Sequence, residues 1–381
     1  MTTTDPRPTY WMRRCLALAR RGAGHVSPNP MVGAVLVGAD GRLLGAGWHR
    51  AFGGPHAEVH AIEQALRHHG EEALHTATLY VNLEPCSHHG KTPPCADLIV
   101  ARGIPRVVVG MEDPFPLVAG RGLARLRARG VDVVTGVLAA DCRRLNEAFV
   151  HHVRTGRPLV TLKIAQTLDG RVATRTGDSR WISGRLARRR VHRWRAEVDA
   201  VLIGRGTALA DDPALTVRHV AGRQPLRIVL DRTGTLPATL RLFTDAHAAR
   251  TLAVVGPDAA PAYERRLRDS GGALLRLPTA GGHLDLDALL DRLGQDGGRD
   301  GGRPLQSLLV EAGPGLASAL LARNLVDRLC LFIAPRLLGG GRPAFDGPGP
   351  ARMADARTFA EHRWTRLGPD VLFAGFRHPA G

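Results

Sequence analysis

The 381-residue chain has only five cysteines, an odd number, and no apolar run near the length of a membrane span. A spanning helix needs roughly 18 or more consecutive apolar residues, so a helical membrane protein is excluded. Cysteines this few and odd in number do not build a disulfide framework and suit a reducing compartment. The opening residues "MTTTDPRPTYWMRRC" have no apolar core followed by a small-residue cleavage site, which predicts no export signal and a cytoplasmic protein. Aromatic residues make up only 4% of the chain, too few for rows of base-stacking platforms. Lysine is almost absent: Lys91 and Lys163 are the only two among 52 basic residues. Arginine is what abounds, and the net charge is +17. The arginines are spread through every segment and form no single stripe, so the charge does not mark a nucleic-acid face. An ammonium kept where arginine is the habit points to a specific task, because a compact point charge and a planar fork bind differently.

A hydrophobic content of 44% over this length fits two soluble domains, each able to bury a core. Apolar residues recur at helical spacing from Tyr10 to Arg21, and "SPNP" breaks the chain before the strand "MVGAVLV". "LLGAGWH" follows across an Asp40-Gly41 turn, the usual chemistry of a hairpin. A helix from about His56, the strand "ATLYVNLEPC", the helix "CADLIVARGI" and the strands "RVVVGMEDP" and "VDVVTGV" complete an α/β layer. The alternation predicts a mostly parallel sheet. The pattern weakens at "AFVHHVRTGRP", which divides the chain into residues 1–147 and 148–381. Beyond it, "LVTLKIAQ", "AVLIG", "LRIVLD", "TLAVVG", "SLLVEAG" and "RLCLFIAP" read as strands of a second α/β domain, with helices at Leu186–Ala196 and Leu316–Arg323. "GQDGGRDGGRP" reads as a surface loop.

The densest chemistry lies in "PHAEVHA" and "EPCSHHGKTPPC". His56, Cys86 and Cys95 are one imidazole and two thiols, which leave the fourth position of a tetrahedral zinc open. An open position marks a catalytic metal, because zinc lowers the pKa of water there. Glu58, two residues after His56, is placed to move protons without binding the metal. This H-x-E…P-C…C pattern is the one by which zinc deaminases are recognised. Three plainer readings compete, a structural zinc clip, a helix-capping histidine with buried cysteines, and a zinc-stabilised scaffold without catalysis, and none gives Glu58 a task. Cys15, Cys142 and Cys330 belong to no motif and read as packed thiols.

Eight residues separate Cys86 from Cys95, where nucleoside and nucleic-acid deaminases usually have two. That loop, with "NPMVGAVLV", "HAEVHAI", "PCSHHGKTPPC" and "MEDPFPLVAGRG", resembles the deaminase half of the bacterial bifunctional riboflavin biosynthesis deaminase/reductase family. The resemblance implies a cytidine-deaminase-like fold in which His88, Lys91 and Thr92 grip a phosphorylated pyrimidine, with Asn29 and Asp113 on its ring and ribose. Lys91 then supplies a point charge suited to phosphate.

The resemblance extends through "LKIAQTLDGRVA", "SRWISG", "VLIGRGTALADDPALTVR", "VEAGPGLASALL" and "DRLCLFIAPRLLGG". It implies a dihydrofolate-reductase-like second domain that uses NADPH. Ser179, Arg195, Asp211, Leu215, Arg218 and Glu311 are thereby assigned to substrate or reaction, with Asp211 close to both ligands. Ala165, Trp181, Thr207, Gly313, Pro314, Gly315, Leu316, Ala317, Ser318 and Ala319 are assigned to NADPH. Independently of that, "EAGPGLASALL" reads as strand, Gly/Pro turn and helix, not the Rossmann fingerprint: either a mere turn or a place where backbone N–H groups hold a cofactor phosphate. Arg195 and Arg218 suit a phosphate bidentately, whereas Asp211 to Pro213 alone would read as an N-cap and turn. Lys163 either orients substrate or forms a salt bridge. The expectation is a bifunctional enzyme with one Zn2+ per chain and NADPH, acting on small phosphorylated pyrimidines as a homo-oligomer, dimer or tetramer, without nucleic acid or membrane. The alternative is a basic tRNA deaminase with an accessory RNA-docking domain.

Overall fold

The computed structural model describes residues 7–87, 94–115 and 119–377. They form two compact units that part between Thr155 and Gly156. The expected cut after residue 147 lies eight residues earlier, because Glu147–Thr155 is a helix of the first unit. Its apolar stripe is short, with Val150 buried at its centre, so the periodicity that marks a helix is weak in the sequence.

The first unit carries a five-stranded sheet in the spatial order Leu43–Trp48, Gly33–Val37, Thr78–Leu83, Arg106–Met111, Asp132–Thr135. The expected hairpin is present, with Gly33 facing Trp48 across an antiparallel pair. Thr78–Leu83 is also antiparallel to Gly33–Val37, and the last three strands pair with one another in parallel. Four of the five strands therefore point the same way and Gly33–Val37 alone is reversed, so the mostly parallel layer expected is present with one antiparallel strand inside it. The hairpin reverses the chain, and the strand returning after helix Ala57–His69 runs with its second arm, not its first. Both faces are covered. Ala61, Ile62, Ile99 and Leu123 pack one side, and Met12, Cys15, Leu16 and Cys142 the other. That is why "GAVLV" and "RVVVGM" read as unbroken apolar runs.

The second unit is built on a nine-stranded sheet. Its middle strands, Leu226–Leu230, Ala200–Gly204, Ser307–Glu311, Leu159–Thr167 and Arg328–Ala334, lie side by side in that order, all parallel. A C-terminal hairpin, Glu361–Leu367 with Asp370–Phe376, adds two antiparallel strands beside Arg328–Ala334. The helix of "GQDGGRDGGRP" runs on to Asp296, so only the residues after it form a loop.

Candidate active sites

In the first unit the helix starts do the positioning. His56 is the N-cap residue of Ala57–His69, and Cys95 opens Cys95–Ala101 after Pro94. Cys86 follows the strand Thr78–Leu83, and its sulfur accepts the Cys95 N–H at 3.3 Å. His56 Nδ1 lies 3.6 Å from Cys86 Sγ and 3.3 Å from Cys95 Sγ. The three ligand atoms lie within 4.8 Å of one another. The bond with Cys95 holds the Cys86 thiol down to about 4, against the effect of burial, with His56 assisting. His56 in turn is drawn up to about 9, chiefly by Cys86. The Cys95 thiol is pushed up by Cys86 and by burial, so without a metal the cluster holds protons on His56 and Cys95 that zinc would displace, and its donor set of one imidazole and two thiols fits zinc.

Glu58 lies in the first turn of the same helix and is only 3% exposed. Burial raises its carboxyl, with His56 opposing. Its Oε2 is buried without a hydrogen-bond partner among the described residues. A buried carboxylate oxygen without a partner is costly, and its presence beside a metal cluster leaves an acceptor for the proton of a reacting water. Replacement of Cys86 or Cys95 by Ser should lose the metal, about one zinc per chain, together with deamination. Elemental analysis beside an ammonia assay checks this, and deaminase activity in metal-free protein would contradict it.

Asn29 Nδ2 lies 3.1 Å from His49 Nε2, and His49 Nδ1 lies 3.1 Å from the Pro55 carbonyl. The carbonyl requires Nδ1–H, so Nε2 accepts from Asn29. The His49 ring meets His56 edge to face at 5.4 Å, which links Asn29 to the metal cluster. His49 is a site residue that the sequence reasoning missed, and its only signal is a histidine at the end of the strand "LLGAGW". Glu84 is a second. Its carboxylate, 4% exposed, accepts the N–H groups of Asp113, Gly120, Gly122 and Leu123. It thus joins the Cys86 loop to Asp113 and to the start of helix Arg121–Ala128. A Cβ on Gly122 would lie 2.1 Å from the Pro85 carbonyl oxygen, so only glycine permits this approach. Asp113 is buried and caps Phe115 N–H at 2.8 Å. The expected substrate residues His88, Lys91 and Thr92 lie outside the described residues.

In the second unit, Lys163 and Glu311 are register partners on neighbouring parallel strands, with Nζ 3.9 Å from Oε2. Arg195 Nε and Nη2 donate to the two Glu311 oxygens at 2.6 and 3.0 Å, and Nη1 donates to Thr216 O at 3.1 Å. The guanidinium fork is therefore spent on Glu311. Arg195, expected to suit a phosphate bidentately, here turns its fork to the buried carboxylate of Glu311, another of the expected substrate residues. Lys163 thus shares Glu311 with Arg195. Burial alone would raise the Glu311 carboxyl, but Arg195 and Lys163 outweigh it and hold it at about 2.

Asp211 closes the helix Arg205–Asp211, and Asp212 follows in a left-handed conformation, so the Asp-Asp pair ends a helix and does not start one. Ser179 Oγ lies 3.5 Å from Asp211 Oδ1. Leu215, buried, also has a left-handed backbone at φ 52, and Arg218 stands exposed with Nη1 on Thr216 Oγ1 at 2.8 Å. Gly313 N-caps the helix Pro314–Ala322, so the N–H groups of Gly315 and Leu316 have no intrahelical partner. A Cβ on Gly315 would meet nothing within 4 Å, and one on Gly313 would lie 3.3 Å from Thr207 Oγ1. This open turn bordered by a hydroxyl fits a cofactor phosphate. The run assigned to NADPH does not face it throughout. Ala317 is fully buried in the core, its N–H taken by Gly313 O, and Ser318 Oγ accepts Asp346 N–H. A helix turns most of its residues away from any one ligand, so a run of seven cannot all touch it. Ala165 sits mid-strand opposite Phe332, Ala319 is exposed, and Trp181 is 61% exposed with Arg188 stacked 4.5 Å over its ring.

Residues 6–111 match the cytidine and deoxycytidylate deaminase zinc-binding region, and residues 158–373 match the RibD C-terminal domain. The riboflavin biosynthesis protein RibD of Escherichia coli K12 is 43% identical over 379 residues, covering 95% of this chain and 97% of that one. The structure of Acinetobacter baumannii RibD superposes with a TM-score of 0.85 at 37% identity, covering 97% of this chain and 98% of that one. The Thermotoga maritima diaminohydroxyphosphoribosylaminopyrimidine deaminase/5-amino-6-(5-phosphoribosylamino)uracil reductase gives 0.83 at 36%, with coverage of 97% and 98%. A match that continues through the reductase half leaves no place for an RNA-docking domain, and the chain belongs to the RibD family: a bifunctional zinc-dependent deaminase and NADPH-dependent reductase of riboflavin biosynthesis.

Proposed function

We propose that the first unit hydrolytically deaminates 2,5-diamino-6-ribosylamino-4(3H)-pyrimidinone 5′-phosphate and that the second then reduces the ribosyl side chain to ribityl. The observation that supports this most is Glu58 Oε2, buried beside a three-ligand cluster and without a hydrogen-bond partner among the described residues. Zinc, when bound, supplies the Lewis acidity that makes water nucleophilic near neutral pH. Glu58 takes the proton of that water and passes it to the ring nitrogen and the departing ammonia. Asn29, held by His49, and Asp113, held by Glu84, orient the pyrimidine and ribose, and His88, Lys91 and Thr92 take its phosphate.

In the second unit NADPH supplies the hydride, delivered to C1′ of the opened sugar. Asp211, beside Ser179, is the group at the reacting end. Arg218 takes the phosphate, and Arg195 acts indirectly by fixing Glu311 and Thr216. Thr207 and the Gly313–Leu316 turn hold the cofactor. The division into a deaminase and a reductase that work independently, a cytoplasmic location and assembly into a dimer or tetramer belong to the same reading.

The purified enzyme given the deaminated intermediate should oxidise NADPH faster than NADH. In that assay Arg218→Ala should raise the KM for substrate far more than that for NADPH. One charge-assisted contact contributes roughly 1.5–3 kcal/mol, or about 10- to 150-fold. Equal rises in both constants would remove Arg218 from the phosphate site.

A further inference from the structure

Residues 213–218 have neither helix nor strand, yet residues 214–217 are buried. Among the described residues, none of the main-chain hydrogen bonds outside helices and strands involves this segment. Buried backbone groups must find partners somewhere, and here side chains provide them. Arg227 Nη1 donates to Ala214 O at 3.0 Å, and Arg195 Nη1 to Thr216 O at 3.1 Å. Val217 N–H donates to Gln224 Oε1 at 2.7 Å, while Gln224 Nε2 donates back to Val217 O at 3.1 Å. The Gln224 amide thus makes the two bonds that a neighbouring β-strand would make. One residue on, Arg218 N–H donates to His192 Nδ1 at 3.1 Å.

His192 is buried one helical turn before Arg195, so both project from the same face of helix Arg185–Glu197. Burial holds its imidazole down at about 4, with Arg195, His219 and Arg218 adding to the effect. The ring is therefore neutral near pH 7, and its Nδ1 is free to accept. The His219 ring, 4.4 Å away and steeply inclined, walls the other side. Leu215 is a β-carbon-bearing residue in the left-handed region, a conformation that persists only where the surroundings over-determine it. Gln224 and His192 grip the chain just after that residue and release it at the exposed Arg218.

We propose that Gln224 and His192 are positioning residues of the reductase: they hold the main chain at Val217 and Arg218 so that the Arg218 guanidinium meets the phosphate monoester of the substrate. This rests on the reading of Arg218 as the phosphate ligand. Neither residue touches substrate, so loss of either appears as weaker substrate binding and not as a slower reaction.

The test uses the full-length enzyme with the deaminated intermediate and NADPH. Gln224→Met and His192→Phe should each raise the substrate KM by about fivefold to tenfold, the range for a lost hydrogen bond. The kcat and the NADPH KM should stay near wild type. His192→Asn, whose Oδ1 can replace Nδ1 as acceptor, should recover most of the loss. If Gln224→Met does not fold, Gln224→Glu serves instead, since it keeps the acceptor for Val217 N–H and loses the donor. The deciding comparison is the pair in one chain. In an Arg218→Ala background, Gln224→Met should add almost nothing, because its effect runs through Arg218. Additive losses, or an NADPH KM that rises in step with the substrate KM, would overturn the proposal in favour of a general packing role. If Arg218→Ala raises the substrate KM while both single variants leave it unchanged, the positioning role falls and the phosphate reading stands. If Arg218→Ala itself has no effect, the phosphate reading falls and the proposal with it.

Discussion

Glu58→Gln should lower the rate of deamination by about 10² to 10⁴, the range for a general acid–base group, while the protein keeps its zinc. The argument is geometric. Glu58 shares a helix start with His56, but the ligand cluster is His56, Cys86 and Cys95, and the Glu58 Oε2 is left buried without a donor among the described residues. Glutamine has the same shape and no carboxylate, so it preserves packing and removes only the ability to take up and release a proton. Ammonia release and metal content measured on the same sample separate the two roles. A near-normal rate would move the proton shuttle elsewhere, and loss of zinc would make Glu58 a ligand.

The second large effect concerns stability. Glu311 sits between Arg195 and Lys163 with all three side chains largely buried. Glu311→Ala leaves two buried cations without their counter-charge, a change that costs roughly 3–5 kcal/mol. For a unit of this size that is on the order of 10 °C in Tm. Calorimetry should show the loss in the reductase transition alone, with deamination intact. The sign of the pH dependence follows from a depressed carboxyl. Held at about 2, below its unfolded value near 4.3, Glu311 contributes fully above roughly pH 4.3 and loses that contribution as pH falls through about 2. The gap between wild type and Glu311→Ala should therefore narrow across that acid range. A gap that stays constant down to pH 2 would contradict the ion-pair account.

The zinc cluster was legible because its ligands stand at element boundaries that the sequence also marks. His56 starts a helix, Cys86 follows a strand and a proline, and Cys95 starts another helix. Each is identifiable by residue type and offset, with no knowledge of the distant chain. Glu84 was not legible, because its four donors lie 29 to 39 residues away and a glutamate before a proline signals nothing by itself. Arg195 shows the same limit in another form. Its type suggested a phosphate, and only the fold brings Glu311, 116 residues on, to occupy its fork. The Gly313–Ala319 run was legible as a turn and helix, but burial decides that Ala317 faces the core. The C-terminal hairpin was missed because Glu361–Leu367 is largely exposed and polar, so its sequence lacks the apolar run that announced the inner strands.

The central claim is that one chain deaminates first and reduces second, at two separate sites. The most direct measurement is NADPH oxidation by the Glu58→Gln enzyme, given either the diamino substrate or the deaminated intermediate. The account predicts close to the wild-type rate with the intermediate and very little oxidation with the diamino compound. Rapid oxidation with the diamino compound would reverse the proposed order, and failure with both would mean that the two halves do not work as independent enzymes.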